Sequence, residues 1–186
     1  DLVRLSTDAA ARSVYGRALL NWGAADFESG RYTEADEHWQ EARLTLQDDP
    51  AELSNCLNNL AVLATVRGEL DKALQLYQQV LAVDLENENL DQMALTHLNM
   101  SMVASDQERW DDALELSARS LELCRQVRMF AHEPMIHLSR AEALMGKGDA
   151  AAQQSLAAAL RGFRRLDDAL GMADVLRFQG RLCREQ

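Results

Sequence analysis

The chain has 186 residues and a formal net charge of −11, with 47% hydrophobic residues, 5% aromatic residues and two prolines. This composition is typical of an all-α protein, and no apolar run approaches the ~20 residues that span a bilayer. The acidic charge argues against binding to a nucleic-acid backbone, which requires clustered cations. We therefore expect an all-α chain that binds neither nucleic acid nor membrane.

The three cysteines, Cys56, Cys124 and Cys183, are far apart and form no Cys-x-x-Cys pair. An odd number of separated thiols fits a reducing compartment better than a disulfide framework or a zinc site. We therefore predict a cytoplasmic protein without a metal. Because the first residue is Asp rather than Met, we also expect the sequence to be part of a longer protein.

The first predicted helix is capped by Ser6 or Thr7 and ends at about Glu28, where Gly30 closes the turn. Thr33 predicts the start of the second helix, because an acid follows it at the third position. That helix is expected to end at about residues 48–49.

Asp49 and Pro50 predict the start of the third helix, with the acid as cap and the proline in the first turn. Later breaks delimit a fourth, weaker helix pair and a terminal helix in which Gly180 holds the position of the small residue. The predicted repeats cover residues 8–48, 49–86, 88–128 and 132–166, with a capping helix at 168–184, all within one domain, 1–186.

A short signature recurs at intervals of 38 and 40 residues, namely Asn21-Trp22-Gly23, Asn59-Leu60-Ala61 and Asn99-Met100-Ser101. After each signature come a turn, a large residue and, three positions later, Ala35, Ala73 or Ala113. Small residues at fixed positions let the two helices of a pair approach closely. A period of this size predicts a solenoid of stacked helix pairs.

These features resemble the tetratricopeptide repeat (TPR) family, and the resemblance covers nearly the whole chain. It rests on small residues at the eighth position of each repeat, on turn glycines and on the large residues after each turn. The spacing of about 40 residues resembles the long-period members, such as kinesin light chains. The resemblance implies a right-handed superhelical solenoid of antiparallel helix pairs, whose concave face, lined by the first (inner) helix of each pair, binds peptides or protein segments.

Asn21, Asn59 and Asn99 occupy the sixth position of their repeats, so stacking is expected to place the three amides in a row. An Asn side chain offers a donor and an acceptor, and a row can pair with the backbone of an extended peptide regardless of its sequence. The alternative is that each Asn tethers a neighbouring loop or helix end. In the fourth repeat Ser139 stands at this position.

Residues on either side of the row are expected to set specificity. They combine polar groups with apolar ones, and the flexible methionine can adapt to different ligand side chains. Some of these residues have the alternative of packing under the next helix. The remaining predicted groove residues are Arg17, Asn55, Asn58, Leu98 and Met102.

Charge is unevenly distributed: residues 1–118 hold 8 Lys or Arg and 22 Asp or Glu, whereas residues 119–186 hold 11 and 8. The arginine-rich final third is therefore the one part of the sequence where an anionic partner is expected. The alternative is that these arginines stabilise helix ends and keep the last helices hydrated.

No catalytic motif is recognisable, and we expect neither an enzyme nor a cofactor. His132 and His137 resemble a zinc-protease pair, but they are five residues apart and Pro134 lies between them. Two ligands on one helical face need a spacing of four.

The sequence thus favours a non-enzymatic scaffold whose groove binds a protein or peptide segment. The alternative is an interaction or self-association arm of a larger bacterial regulatory or signalling protein, which would make the chain a homo-oligomer.

Overall fold

The computed structural model describes residues 9–184, and every regular element in that range is an α-helix. Few prolines and abundant Ala and Leu favour this outcome, because both residues have high helix propensity. The helices are α1 (Ala9–Glu28), α2 (Tyr32–Thr45), α3 (Pro50–Val66), α4 (Leu70–Glu86), α5 (Leu90–Asp106), α6 (Trp110–Gln126), α7 (Glu133–Gly146), α8 (Ala151–Leu166) and α9 (Ala169–Leu182). From α1 to α4, and again from α5 to α9, consecutive helices pack against each other across short turns, and the last helix packs on the two before it.

The helices form two compact units that meet in sequence between Asn89 and Leu90. The first unit contains α1 to α4 and the second contains α5 to α9. The expectation of one domain over residues 1–186 stays a prediction.

The core of the first unit confirms the pairing of small with large residues. Gly23 on α1 faces Trp39 on α2 so closely that a Cβ at Gly23 would lie 2.4 Å from the indole nitrogen. Trp39 is buried, and its Nε1 donates a hydrogen bond to the Leu20 carbonyl at 3.1 Å. Ala35 and Ala73 are fully buried at the corresponding positions of the second helices.

The core of the second unit continues into the terminal helix. One cluster joins α7, α8 and α9 through buried apolar residues, with Phe163 on α8 in close contact with Gly171 on α9. Gly180 has open space around it, so the expectation that it serves as a small contact residue is wrong. The cluster consists of Leu138, Ala141, Leu156, Ala159, Phe163, Val175 and Phe178.

Most hairpin turns and repeat junctions end a helix with one left-handed residue. At the first turn Gly30 has φ +75°, and the Arg31 amide returns to the Asp26 carbonyl at 2.9 Å, which satisfies a free helix-end acceptor. Gly68 and Gly148 hold the same conformation. Four non-glycine residues also hold it, Glu88, Glu108, Arg128 and Asp167.

The structure confirms the start of α3, where the Asp49 side chain accepts the Glu52 amide and Pro50 occupies the first turn. The expected Thr33 start is wrong. Helix α2 begins at Tyr32, directly after the turn, with Arg31 as a cap that makes no side-chain hydrogen bond to the helix. The same helix ends at Thr45 rather than at residues 48–49. The predicted caps Ser6 and Thr7 lie outside the described residues.

None of the helices within residues 9–184 combines the length and the apolar character needed to cross a bilayer.

Candidate peptide-binding face

Helices α1 and α3 of the first unit pack against each other and carry two of the three signature asparagines at equivalent positions. Asn21 is exposed on α1, one turn after the exposed Arg17, and Asn59 is half-buried on α3. Each precedes by two residues a small buried residue, Gly23 or Ala61. The two amides therefore occupy the same position on adjacent helices.

The exposed face of α3 is rich in amides. Asn55 is exposed and its Nδ2 donates to the Glu52 side chain at 3.3 Å, one turn earlier. Asn58 is half-buried and takes part in interactions within the chain. Together with Asn59, these residues provide donors and acceptors along one helix without a net charge.

Helix α5 of the second unit carries the third asparagine. Asn99 is half-buried and interacts within the chain, whereas Met102, three residues later, is 43% exposed. Leu98 is buried and packs with Ala94 and Ile136 in a core cluster. Leu98 is therefore too buried for the predicted contact with a ligand. The alternative, in which it packs between helices, describes this leucine.

Ser139 on α7 also lies beneath the surface. It is buried, and its hydroxyl lies 2.8 Å from the Ser101 hydroxyl on α5. This contact joins the two inner helices of the second unit. Ser139 therefore stabilises helix packing, which corrects the expectation that it is one of the residues that line the peptide-binding groove.

A polar cluster beside Asn21 escaped the sequence analysis. The buried Asp26 carboxylate accepts from the Arg31 side chain at 2.5 and 2.8 Å and lies 2.8 Å from His38 Nδ1. Arg31 first, and then His38, lower the pKa of Asp26 against the opposing effect of burial. The signal in the sequence was a helix-end acid five residues before an arginine.

The same histidine supports an exposed aromatic ring. Trp22 stacks on His38 with ring centroids 5.0 Å apart and planes 4° apart, and 61% of its surface is exposed. Asn21 thus directly precedes an exposed apolar ring that packs on the second helix of the pair. Large exposed aromatic rings of this kind are common where a protein partner binds.

No group of three or more metal-ligating side chains lies together within residues 9–184. The two histidines of the Pro134 segment have different surroundings. His132 Nδ1 is buried without a hydrogen-bond partner, whereas His137 lines a cavity between α7 and α8.

The helices define a class of protein, the helical-repeat proteins built from stacked pairs. Family models described as tetratricopeptide repeat match residues 15–86 and 94–128. The chain is therefore an all-α protein with a TPR-type fold, and these two segments belong to the tetratricopeptide repeat family.

Curated relatives include two proteins named photosystem I assembly protein Ycf3. The one from Parasynechococcus marenigrum (strain WH8102) is 32% identical over 107 residues, which is 55% of this chain and 60% of the relative. The one from Synechococcus sp. (strain CC9902) is 30% identical over 104 residues, with the same coverage. This chain therefore matches 60% of the length of each of these relatives.

Among solved structures, BtubC (BKLC) from P. vanneervenii has a TM-score of 0.76 and 19% sequence identity, over 94% of this chain and 77% of that protein. At this identity the similarity shows the fold alone, and it agrees with the TPR-type architecture.

Proposed function

We propose that this chain is a non-enzymatic scaffold that binds an extended peptide or protein segment along its inner helices. TPR proteins bind protein partners, and the face described here offers the chemistry for it. The observation that carries the proposal is the pair Asn21 and Asn59 at equivalent, solvent-accessible positions on adjacent helices, next to the exposed Trp22. Asn99 is proposed to continue this row on α5.

The proposed binding has two components. Amide side chains pair with the N–H and C=O groups of an extended backbone, which gives affinity without sequence preference. Trp22, Val62 and Met102 are accessible apolar groups that can contact alternate side chains of the ligand. Arg17 and Asn55 lie one helical turn before Asn21 and Asn59 and add polar contacts to the same helix faces.

The relatives named as assembly proteins support a more specific proposal. Their name describes them as assembly proteins of photosystem I, and a peptide-binding face is suited to holding a protein segment during assembly. We propose that the ligand here is a segment of a protein that becomes part of a larger assembly.

The test is a screen of immobilised random peptides with the intact chain. Peptides selected by the wild type should bind Asn59→Ala/Asn99→Ala at least about tenfold more weakly, which is about 1.4 kcal/mol for two lost amide pairs. The matched control is Gln75→Ala/Gln126→Ala, which removes two exposed amides from α4 and α6. Equal binding by both variants would refute the asparagine row.

Self-association is a second candidate function, favoured by the charge asymmetry between the acidic residues 1–118 and the arginine-rich residues 119–186. In this case the acidic part of one copy would bind the basic part of another, as an arm of a larger protein.

A further inference from the structure

The second unit contains a basic cavity between α7 and α8 that the asparagine row does not use. It has a volume of about 450 Å³ and is lined by the first turns of α7 and the last turns of α8. Three of its lining residues are exposed arginines, Arg161, Arg164 and Arg165.

Close packing at a glycine brings these arginines to the wall. A Cβ at Gly162 would lie 2.3 Å from the Pro134 ring, so only glycine allows α8 to approach the start of α7 this closely. Arg161 and Arg165 flank that contact along the helix. The first turn of α7 adds the positive end of a helix dipole to the same wall.

The surrounding charges leave the arginines available. Within residues 9–184, Arg161, Arg164 and Arg165 form no ion pair with a carboxylate, in contrast to Arg125, which contacts Glu133 at 2.9 Å. Glu133 also lines the cavity, but this contact with Arg125 compensates its charge. Three unpaired guanidinium groups around one cavity form a site for an oxyanion, because each can donate two parallel hydrogen bonds.

His137 completes the wall with a neutral ring. Burial lowers the pKa of His137; Glu133 opposes this shift, whereas nearby arginines, Arg161 among them, add to it. An uncharged imidazole can donate one hydrogen bond to a ligand without adding charge.

Helix-end stabilisation accounts for only part of the cluster. Arg164 and Arg165 lie in the last turn of α8, where cations are favourable, but Arg161 lies a full turn earlier. It gains little from the helix dipole, whose effect is confined to the last turn.

A second, apolar cavity of about 250 Å³ adjoins the basic one and shares Pro134, Gly162 and Arg165 with it. Phe130 and Leu166, which line it, are 55% and 47% exposed. The combined surface thus offers guanidinium groups next to an uncovered apolar patch. A free phosphate would contact the guanidinium groups but not the apolar patch. A nucleic acid is disfavoured as a ligand by the chain's net charge of −11.

We propose that this double cavity is a second binding site, which takes an acidic protein segment with one large apolar side chain next to its carboxylates. The carboxylates bind Arg161, Arg164 and Arg165, and the apolar side chain packs between Phe130 and Leu166. The site shares no residue with the asparagine row, so this proposal can be tested separately from the function proposed above.

The test uses the intact chain and a short fluorescein-labelled peptide in which glutamates flank one phenylalanine, with fluorescence anisotropy as the readout. Arg161→Gln/Arg165→Gln should weaken binding by about tenfold or more, as expected for loss of charge-assisted hydrogen bonds worth about 1.4 kcal/mol in total. The matched control, Arg177→Gln/Arg184→Gln, removes the same number of positive charges from α9 and from the segment that follows it. This control should change the affinity for the peptide by less than about twofold, against about tenfold for the cavity variant.

Two further comparisons define the ligand. Phe130→Ser should weaken the binding of this peptide, but it should not change the binding of a peptide in which alanine replaces the phenylalanine. Binding of the first peptide should also be lost in a variant that combines Phe130→Ser with the two arginine substitutions. The proposal is overturned if the glutamine counterpart of the peptide binds equally well, or if both arginine double variants lose affinity equally. It is also overturned if inorganic phosphate binds the cavity and the peptide does not.

Discussion

Asp84 is a carboxylate in a position that the neighbouring repeats fill with core residues. Leu46 lies 38 residues earlier and Cys124 lies 40 residues later, and all three are buried. Asn89 Nδ2 reaches Asp84 Oδ1 at 3.4 Å, but Asp84 Oδ2 and the Ser54 hydroxyl are buried without a partner in hydrogen-bond geometry. Burial raises the pKa of Asp84, and the side chains of Ser54 and Asn89 offset this only in part.

We predict that Asp84→Asn stabilises the protein at pH 7 by about 1–3 kcal/mol, because it replaces a carboxylate whose charged form burial disfavours by a neutral amide of the same shape. Because the folded pKa lies above the ordinary value of 3.8, the folded state binds the extra proton between the two values. The wild type therefore loses stability as pH rises through the folded pKa, and the cost is absent below pH 3.8.

Urea denaturation of both proteins from pH 4 to pH 7 checks this prediction. The difference in free energy of unfolding should shrink towards zero as the pH approaches 4. A difference that stays constant with pH would show that shape or hydrogen bonding, rather than ionisation of Asp84, decides the effect.

Among the secondary-structure elements, the helix starts and turns that depend on proline, glycine or an acidic cap were predictable from the sequence. Asp49 and Pro50 define the start of α3 because their effects are local. The start predicted at Thr33 was wrong because the left-handed turn at Gly30 leads directly into α2. This turn leaves no place for a side-chain cap.

The candidate sites were less predictable, because they depend on contacts between helices. The burial of Leu98 and Ser139 follows from how α5 and α7 pack, and sequence spacing left both interpretations open. The arginines of α8 were visible as a charge cluster, but their proximity to His137 depends on the glycine contact between α7 and α8.

Two glycines should respond in opposite ways to the same substitution. Gly23→Ala forces a Cβ to within 2.4 Å of the buried Trp39 ring, so we predict destabilisation by about 1–3 kcal/mol from overpacking. Gly180→Ala meets open space on α9, so we predict a gain of up to about 1 kcal/mol from helix propensity.

Chemical denaturation monitored by circular dichroism measures both changes. Destabilisation of similar size by the two substitutions would mean that close helix contact is not what requires Gly23. Tryptophan fluorescence should change only in Gly23→Ala, because that substitution displaces Trp39.

For the whole molecule, the uneven charge means that a second copy of the chain can supply acidic segments. Residues 1–118 carry a large excess of carboxylates, and the arginines of α8 provide unpaired guanidinium groups. Exposed charges attract one another strongly only within the Debye length, about 10 Å at 0.1 M salt and about 3 Å at 1 M. Self-association through this contact must therefore depend on salt.

If the chain self-associates in this way, light scattering after size exclusion should show a mass above the monomer at low salt that returns to the monomer at 1 M salt. Arg161→Gln/Arg165→Gln should lower the low-salt mass, because it removes the guanidinium groups that receive the carboxylates. Arg177→Gln/Arg184→Gln, with the same net charge, should behave like the wild type. A monomer at every salt concentration would exclude the self-association arm and leave a separate acidic partner as the ligand of the cavity, since binding of a free peptide does not require the chain to bind itself.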